Sequence, residues 1–485
     1  MGVPSNIIVP FVGVEFDNSR ASKGPAVLNF QTLIFGQKTS SGSGTAGQVI
    51  KVSTADEVGA LAGFGSQIHQ IAKSYFLNNR VTDTFIYMFN DAGSGVAAEF
   101  SITVTASSVK AGELDVYIDG YRIPVAVDDN DDATTIAAAI AAAMTDVEMY
   151  LPVTNISSAL GVVSFEAKNT GTVANALDIR FAYYDGEVIP SGVGVTSATV
   201  TPGAVDVDVT PMITAMAEEW YNVLIGPYTD SSNLKIIEIE LLDRFGVLRQ
   251  IDGVYITARK GDDASLISYA TNSQRNCQCV GTVACNKYPS SIEQIAGAVG
   301  GQFVASAAND AAKPLHRIAL AGILPPRKED RAKLIERNSL ARNGLITLNP
   351  GNGVQTEATV TMYLKNSAGA SDTSYQQMNK LFTLMVLRYR FNTQILTKYP
   401  HAKLADNADN IGPGQQIITP AIGKAEAIIW FRQAEFDGLV ENFDQFKSEV
   451  TCYRDPSNRN KLLWGLPPDL MNQFIVGSAD MQFID

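Results

Sequence analysis

The chain has 485 residues, 46% hydrophobic and 18% charged, a composition that supports a large buried core and argues against broad disorder. A formal net charge of −13 argues against a nucleic-acid partner held through its phosphates, and four cysteines in so long a chain do not make a disulfide framework. The length predicts about two to four domains.

No apolar run reaches the ~20 residues of a membrane helix, so no direct membrane insertion is expected. The opening MGVPSNIIVP lacks the basic n-region of a secretory signal, and Asn6 stands where a myristoylation signal requires Ser or Thr. A soluble protein made in a reducing cytoplasm is expected. The charge is unevenly spread: residues 96–204 hold 4 Lys/Arg against 14 Asp/Glu, whereas residues 325–470 hold 18 against 15. A solvated acidic segment explains the first imbalance.

In chain order, IIVPFVGVEF (7–16) reads as a strand that Pro10 confines to an edge. LNFQTLIFG (28–36) reads as a core strand, followed by the loop QKTSSGSGTAG and a capped helix beginning near Ser53. From 96 to 204 short alternating strands, EFSITVTASS, ELDVYIDGYRIPVAV, VVSFEAKNT and ALDIRFAYY, are separated by turns such as Asp119-Gly120 and Asp185-Gly186. One Ala-rich helix, 133–144, interrupts them, and the Gly/Pro/Thr-rich SGVGVTSATVTPGA closes this β-rich insertion.

The period then changes. Strands WYNVLIGPY, QIDGVYIT and CQCVGTVA alternate with helices at 231–244, 263–274 and 290–308, which predicts βαβ units on a parallel-leaning sheet. Further on, ATVTMYL (358–364) reads as a strand and Thr373 to Thr397 as a long helix, capped by Asp372 and stopped at Tyr399-Pro400. A second long helix spans Pro420 to Val440, and FKSEVTCYR is strand-like. After GLPPDL, the ending MNQFIVGSADMQFID alternates like a strand from Phe474 to Ile484. A terminal strand frays unless something pairs with it.

Signals for chemistry are weak. The loop after the first core strand contains Gly36, Lys38 and Thr39, but Gln37 separates glycine from lysine and Gln31 replaces the first glycine of a P-loop, so a plain flexible loop is the better reading. Asp128–Asp132 (DDNDD) resembles a calcium loop, yet Ala133 and Ala139 stand where an EF-hand needs Gly and Glu. Carboxylates favoured at the start of the Ala-rich helix explain it better. Cys277, Cys279 and Cys285 have no zinc spacing and read as core thiols. The three histidines, His69, His316 and His401, belong to no G-x-S-x-G or H-E-x-x-H pattern. No catalytic, metal or cofactor-binding residue is assigned, no cofactor is expected, and an enzyme is not expected.

The helix at 420–440 is unusual. On a wheel at about 100° per residue, Lys424, Arg432 and Glu435 form one polar stripe and Glu426, Gln433 and Asp437 another. Between them lie two apolar strips, one of Ala427, Phe431, Trp430 and Ala434, the other of Ala425, Ile429 and Phe436. A surface helix normally has one apolar face; two imply a helix between layers or between partners. Two readings remain open at this point: a non-contractile, lattice-forming structural protein, and a cytoplasmic, hydrolase-like α/β enzyme with a β-rich appendage.

YNVLIGPYTDSSNLKIIEIELLDRFGVLRQIDG (221–253) resembles the contractile tail sheath proteins of Mu-like bacteriophages. So do ERNSLARNGLITL (336–348), YPHAKLADNADNIGPGQQIITPAIGKAEAIIWFRQAEFDGLVENFDQFKSEV (399–450) and GLPPDLMNQFIVGSADMQFID (465–485). The similarity covers most of 205–485. It implies a multidomain fold of α/β and α+β character, with a βαβ-type core domain, a β-rich insertion and extended terminal strand arms.

The division that follows is an N-terminal arm (1–20), a first core part (21–95), an outward-facing insertion (96–204) and the βαβ core (205–325). An inner C-terminal domain (326–470) and a C-terminal arm (471–485) complete it. The resemblance further implies a homo-oligomer, with six subunits per ring stacked helically around a tail tube protein. Baseplate and tail terminator proteins would be further partners in a virion tail assembled in the bacterial host cytoplasm. Ile7, Ile8, Val9, Phe11, Val12, Val14 and Phe16 of one arm, and Phe474, Ile475, Val476, Met481, Phe483 and Ile484 of the other, would add strands to neighbouring copies. By position, Lys424, Ile428, Arg432 and Glu435 would face the tube, Glu435 lowering the local positive charge. Contraction of the sheath would drive the tube through the host envelope.

Overall fold

A computed structural model describes residues 26–272, 275–407 and 415–483. These form two compact units, one of residues 29–385 with 470–483 and the other of 386–469 with 26–28. The segment expected as one C-terminal domain, 326–470, is thus divided near Val386.

The larger unit opens with β1 (Gln31–Gln37), β2 (Val49–Val52), α1 (Ala55–Ala62), α2 (Gln67–Asn78) and β3 (Asp83–Phe89). Thr54 caps α1 by accepting from the Glu57 amide, which starts the helix where the sequence places it. β1 is buried along almost its whole length, as expected of a parallel strand covered on both faces. The loop between β1 and β2 is held by hydrogen bonds rather than free: Lys38 Nζ donates to the Gly42 carbonyl at 3.1 Å and Thr39 Oγ1 to the Ala62 carbonyl at 3.3 Å.

The insertion has its own core. It comprises β4 (Ala97–Ala106), β5 (Gly112–Ile118), β6 (Tyr121–Val127), α3 (Ala133–Asp146), β7 (Val153–Ala159), β8 (Val162–Thr170), β9 (Ile179–Phe181) and β10 (Val193–Thr201). An antiparallel sheet in the order β10-β4-β8-β7 and a second in the order β6-β5-β9 enclose Ile102, Leu114, Ile136, Ile140 and Phe165. β10, expected as part of a loop, is a strand because Val193 and Val195 pack on that core and its backbone pairs along β4. β7 was masked by its Asn and Ser residues; it closes a hairpin through Leu160-Gly161, both at positive φ. The DDNDD run serves the backbone: Asp132 caps α3 through the Thr135 amide at 2.7 Å, and Asp131 accepts from the Asp128 amide at 2.8 Å.

The Asp119-Gly120 turn joining β5 to β6 reaches the segment around Ser290, with Gly120 close to that residue. Asp119 is buried there, accepts from the Asp178 amide at 2.9 Å, and lies 3.6 Å from Lys260 Nζ. Burial pushes its carboxyl up to about 6 against the pull of Lys260. Burial and the charge of Asp119 push Glu293 up to about 7.

After α4 (Thr210–Met216) come β11 (Val223–Ile225), α5 (Ser231–Phe245), β12 (Val254–Lys260), α6 (Asp263–Ala270), β13 (Val280–Cys285), α7 (Ile292–Asn309), α8 (Leu334–Arg342) and β14 (Leu345–Ile346). Asp230, Asp262 and Ser291 cap α5, α6 and α7 through side-chain oxygens. The main sheet has the order β14-β13-β12-β11-β1-β3-β2, parallel except for β2. Close packing of α7 requires glycine: a Cβ at Gly297 would stand 2.3 Å from the Ile71 carbonyl oxygen of α2, and one at Gly300 2.4 Å from Ile225.

Two expectations fail near the end of this unit. Residues 358–364 are buried but irregular, because their amides go to separate partners: Thr361 to the Gln376 carbonyl and Met362 to that of Val280. Asp372 binds the Ser374 amide and the Tyr363 hydroxyl, so it forms a turn and not a cap. The long helix α9 (Met378–Lys398) starts later, at Met378, and ends before Tyr399-Pro400 as expected.

The smaller unit contains the later part of α9, α10 (Pro420–Phe436), α11 (Phe443–Glu449) and a hairpin of Thr451–Arg454 with Leu462–Gly465. FKSE, expected as strand, is the second half of α11, with Phe446 as its core residue. Phe431 stacks on Phe446 with centroids 4.0 Å apart, and Trp430 meets Phe391 edge-on. Glu426 is buried beside them and accepts from Lys398 Nζ and Gln394 Nε2 at 2.7 Å and from Tyr399 Oη at 2.8 Å.

Two tests follow from this packing. Gly297→Ala should lower the denaturation midpoint, since overpacking against a backbone oxygen costs about 1–3 kcal/mol and outweighs the ~1 kcal/mol that alanine gains over glycine in a helix. For Glu426, burial opposes the charge, but Lys398, Gln394 and Tyr399 together hold the carboxyl below its ordinary value. Its folded pKa being depressed, it stabilises above the ordinary value of 4.5 and loses that contribution as pH falls through the folded one. Glu426→Gln should cost about 1–3 kcal/mol at neutral pH and flatten the decline in thermal midpoint on acidification.

Candidate assembly interface

Residues 471–483 of the C-terminal arm have no regular structure: a strand exists only beside another, and among the described residues no ladder reaches them. Phe474, Val476, Met481 and Phe483 are each at least 78% exposed. Ile475 alone enters a cleft, of 330 Å³, lined by His316, Arg337, Thr347 and Glu357. The N-terminal arm residues Ile7, Ile8, Val9, Phe11, Val12, Val14 and Phe16, and Ile484 at the other end, lie outside the described residues.

α10 begins at the Thr419 cap, with Pro420 at its first position. The two apolar strips are distinct in their fates. Ala427, Trp430, Phe431 and Ala434 are buried in the smaller unit's core, while Ala425, Ile429 and Phe436 are exposed, Phe436 at 92%. Between them, Lys424 and Ile428 are half-buried and Arg432 is exposed. The Arg432 guanidinium lies 3.9 Å from the centroid of the Phe443 ring, and Glu435 accepts from the Phe443 amide at 3.2 Å. Glu435 therefore helps to start α11. Arg432 and Glu435 are joined through Phe443, eleven and eight residues away, a link that no helical spacing announces. The exposed Phe436 and Ile429 were visible on the wheel, and with Lys424 and Arg432 they make a mixed apolar and basic surface.

The groups considered for chemistry are placed as core components. Cys277, Cys279 and Cys285 are buried and free; burial pushes Cys285 up to about 12, and Cys277 beside it raises Cys279 further. His69 is buried and its Nδ1 accepts from the Gly65 amide at 3.0 Å. Burial and nearby Lys73 lower it to about 4, so it is neutral at physiological pH. Among the described residues no group of three or more His, Cys, Asp or Glu side chains is placed to hold a metal, and no helix is long and apolar enough to cross a membrane.

Comparison with known proteins fits this picture. Residues 370–483 match the phage tail sheath C-terminal domain family. Over 99% of this chain and 98% of the relative, the sequence is 34% identical to the Mu-like prophage FluMu tail sheath protein of Haemophilus influenzae. Among solved structures, a sheath tail protein of Listeria innocua aligns with a TM-score of 0.50 at 12% identity, covering 94% of this chain and 95% of that one. The helical sheath of the anti-feeding prophage in its contracted state aligns with a TM-score of 0.50 at 11% identity over 99% of both chains. At such identity these two speak for the mixed α/β fold alone. The full-length relative shows more: this chain belongs to the family of Mu-like phage tail sheath proteins, structural components of the tail and not enzymes.

Proposed function

We propose that the chain polymerises as hexameric rings stacked helically around a tail tube, and that contraction of this sheath drives the tube through the host envelope. The observation that carries the reading is the C-terminal arm, apolar and exposed at 474–483 and, among the described residues, outside every ladder. Such an edge is normally an aggregation hazard; in a polymer that must grow it becomes the connector. Residues 7–16 and 473–484 would be the strands offered.

The hairpin of the smaller unit would be an acceptor. Among the described residues it has two strands, Thr451–Arg454 and Leu462–Gly465, which pack on α10 through Trp464 and pair with no other described strand at their outer edges. Added strands on its free edges would complete a sheet and bury the apolar side chains of the arms. Contraction requires two packings of one subunit. Strand pairing through the arms would persist while contacts between bodies are exchanged.

In this reading the acidic insertion 96–204 faces outward, where its charge discourages adhesion to an anionic surface. The inner surface is α10, with Lys424, Ile428, Arg432 and Glu435 toward an acidic tube. Solvated polar pairs of about 0–1 kcal/mol each suit a contact that must break on firing. Baseplate and tail terminator proteins would close the two ends, and assembly would take place in the host cytoplasm.

Electron microscopy of the purified chain should show tubes. Deleting residues 471–485 or 1–16 should leave folded particles that no longer grow axially. Compact monomers from the full chain under all assembly conditions would overturn the reading. Replacing Lys424 and Arg432 together by Glu should leave empty sheath tubes intact but reduce co-assembly with the tube protein in a co-sedimentation assay.

A further inference from the structure

Two exposed apolar clusters on the larger unit carry opposite charge around them. The first is the loop between α5 and β12. Leu248 is 96% exposed, with exposed Val247 beside it and exposed Ile239 and Leu242 on α5. This loop is rigid for its position. Arg244, fully buried, donates to the Glu219 and Ala217 carbonyls, and Arg249 bonds Glu218, Glu240 and Asp243. Around it stand Glu218, Glu240 and Asp243, all paired with Arg249, together with exposed Glu219 and, one turn before Ile239 on α5, exposed Lys235, so carboxylates are in excess.

The second cluster is the start of α8, where Leu334 and Ile335 are exposed, Ile335 at 76%. Lys333 at its cap and Arg342 in its last turn are exposed, neither paired with a carboxylate among the described residues, while Glu336 in the first turn accepts from the Lys333 amide and Glu329 pairs with Arg327. Leu334 also lines the cleft that Ile475 enters, so this cluster adjoins the root of the C-terminal arm.

Sheet direction places the two at opposite ends of the unit. The loop with Leu248 leads into the amino end of β12. α8 leads into the amino end of β14, which is parallel to β13, so its own start lies a helix length away, toward the carboxyl ends of the strands. Consistently, Lys287, two residues beyond β13, lies 3.4 Å from Asp330, four residues before Leu334. Surfaces that are complementary in charge, apolar at the centre and opposite in position cannot meet within one body. They can meet head to tail between copies, a heterologous contact that propagates into rings or helices.

We propose that the Val247-Leu248 knob of one copy seats on the Leu334-Ile335 surface of the next, a body-to-body contact separate from strand exchange by the arms. It rests on the reading that copies stack in a sheath. The test is a double variant, Leu248→Cys with Ile335→Cys, treated with a short bis-maleimide under assembly conditions. Three of the four native cysteines are buried, and the unmodified chain serves as background. The expected result is a ladder of multimers from the double variant and none from either single variant.

Leu248→Glu should raise the concentration needed for tubes by about tenfold or more, because a charge would replace the apolar anchor. Dimers from Leu248→Cys alone would overturn the inference in favour of a two-fold contact, and so would tubes without a ladder. Failure of the unmodified chain to form tubes would instead count against the sheath polymer itself.

Discussion

An extended backbone offers a donor and an acceptor at nearly every residue, and burial is tolerated only when they are paired. In the larger unit that demand is met by a seven-stranded sheet and by the ladders of the insertion. Among the described residues no ladder meets it at 471–483, a stretch without regular structure that carries exposed apolar side chains. Water can satisfy the amides of such a segment, but it cannot favour the exposure of Phe474, Met481 and Phe483. The same segment therefore asks for a sheet edge and for an apolar cover at once. Another copy of the chain can supply both.

The body that carries the arm is built to hold its shape. α7 approaches α2 and the sheet at distances that only glycine permits, and caps at Asp230, Asp262 and Ser291 fix where the helices begin. The insertion meets this body through Asp119, Asp178 and Lys260, close to the buried Glu293. Both raised acids gain protons as pH falls toward neutrality and below, so the folded state is favoured by mild acid at this seam and the preference fades as pH rises through about 7. In the smaller unit the stacking of Phe431 on Phe446 fixes α10, which leaves Phe436 and Arg432 on its outer side.

Much of this was legible from periodicity. The βαβ alternation after residue 220, the insertion with its Asp119-Gly120 turn, and both faces of α10 follow from apolar spacing and turn chemistry. The misses share a cause. β10 and β7 look like loops because Gly, Ser, Asn and Thr fill them, and only pairing with β4 and β8 makes them strands. Residues 358–364 have the composition of a strand, but their amides find scattered partners. The reverse holds at the terminus, where the sequence alternates like a strand and yet, among the described residues, no strand pairs with 474–483. Strand structure belongs to a pair, and one sequence specifies only half of it. At the proposed inner surface, the seat of Arg432 on Phe443 was hidden because it depends on how α10 turns into α11.

The exposed arm has a consequence for how a filament would stop. If the arms join copies as proposed, each copy that joins would consume one open valence and bring another, and the growing end would look the same after every addition. Nothing in this chemistry measures length. A filament of defined extent would need an external ruler, and a cap whose own backbone fills the last vacant seat.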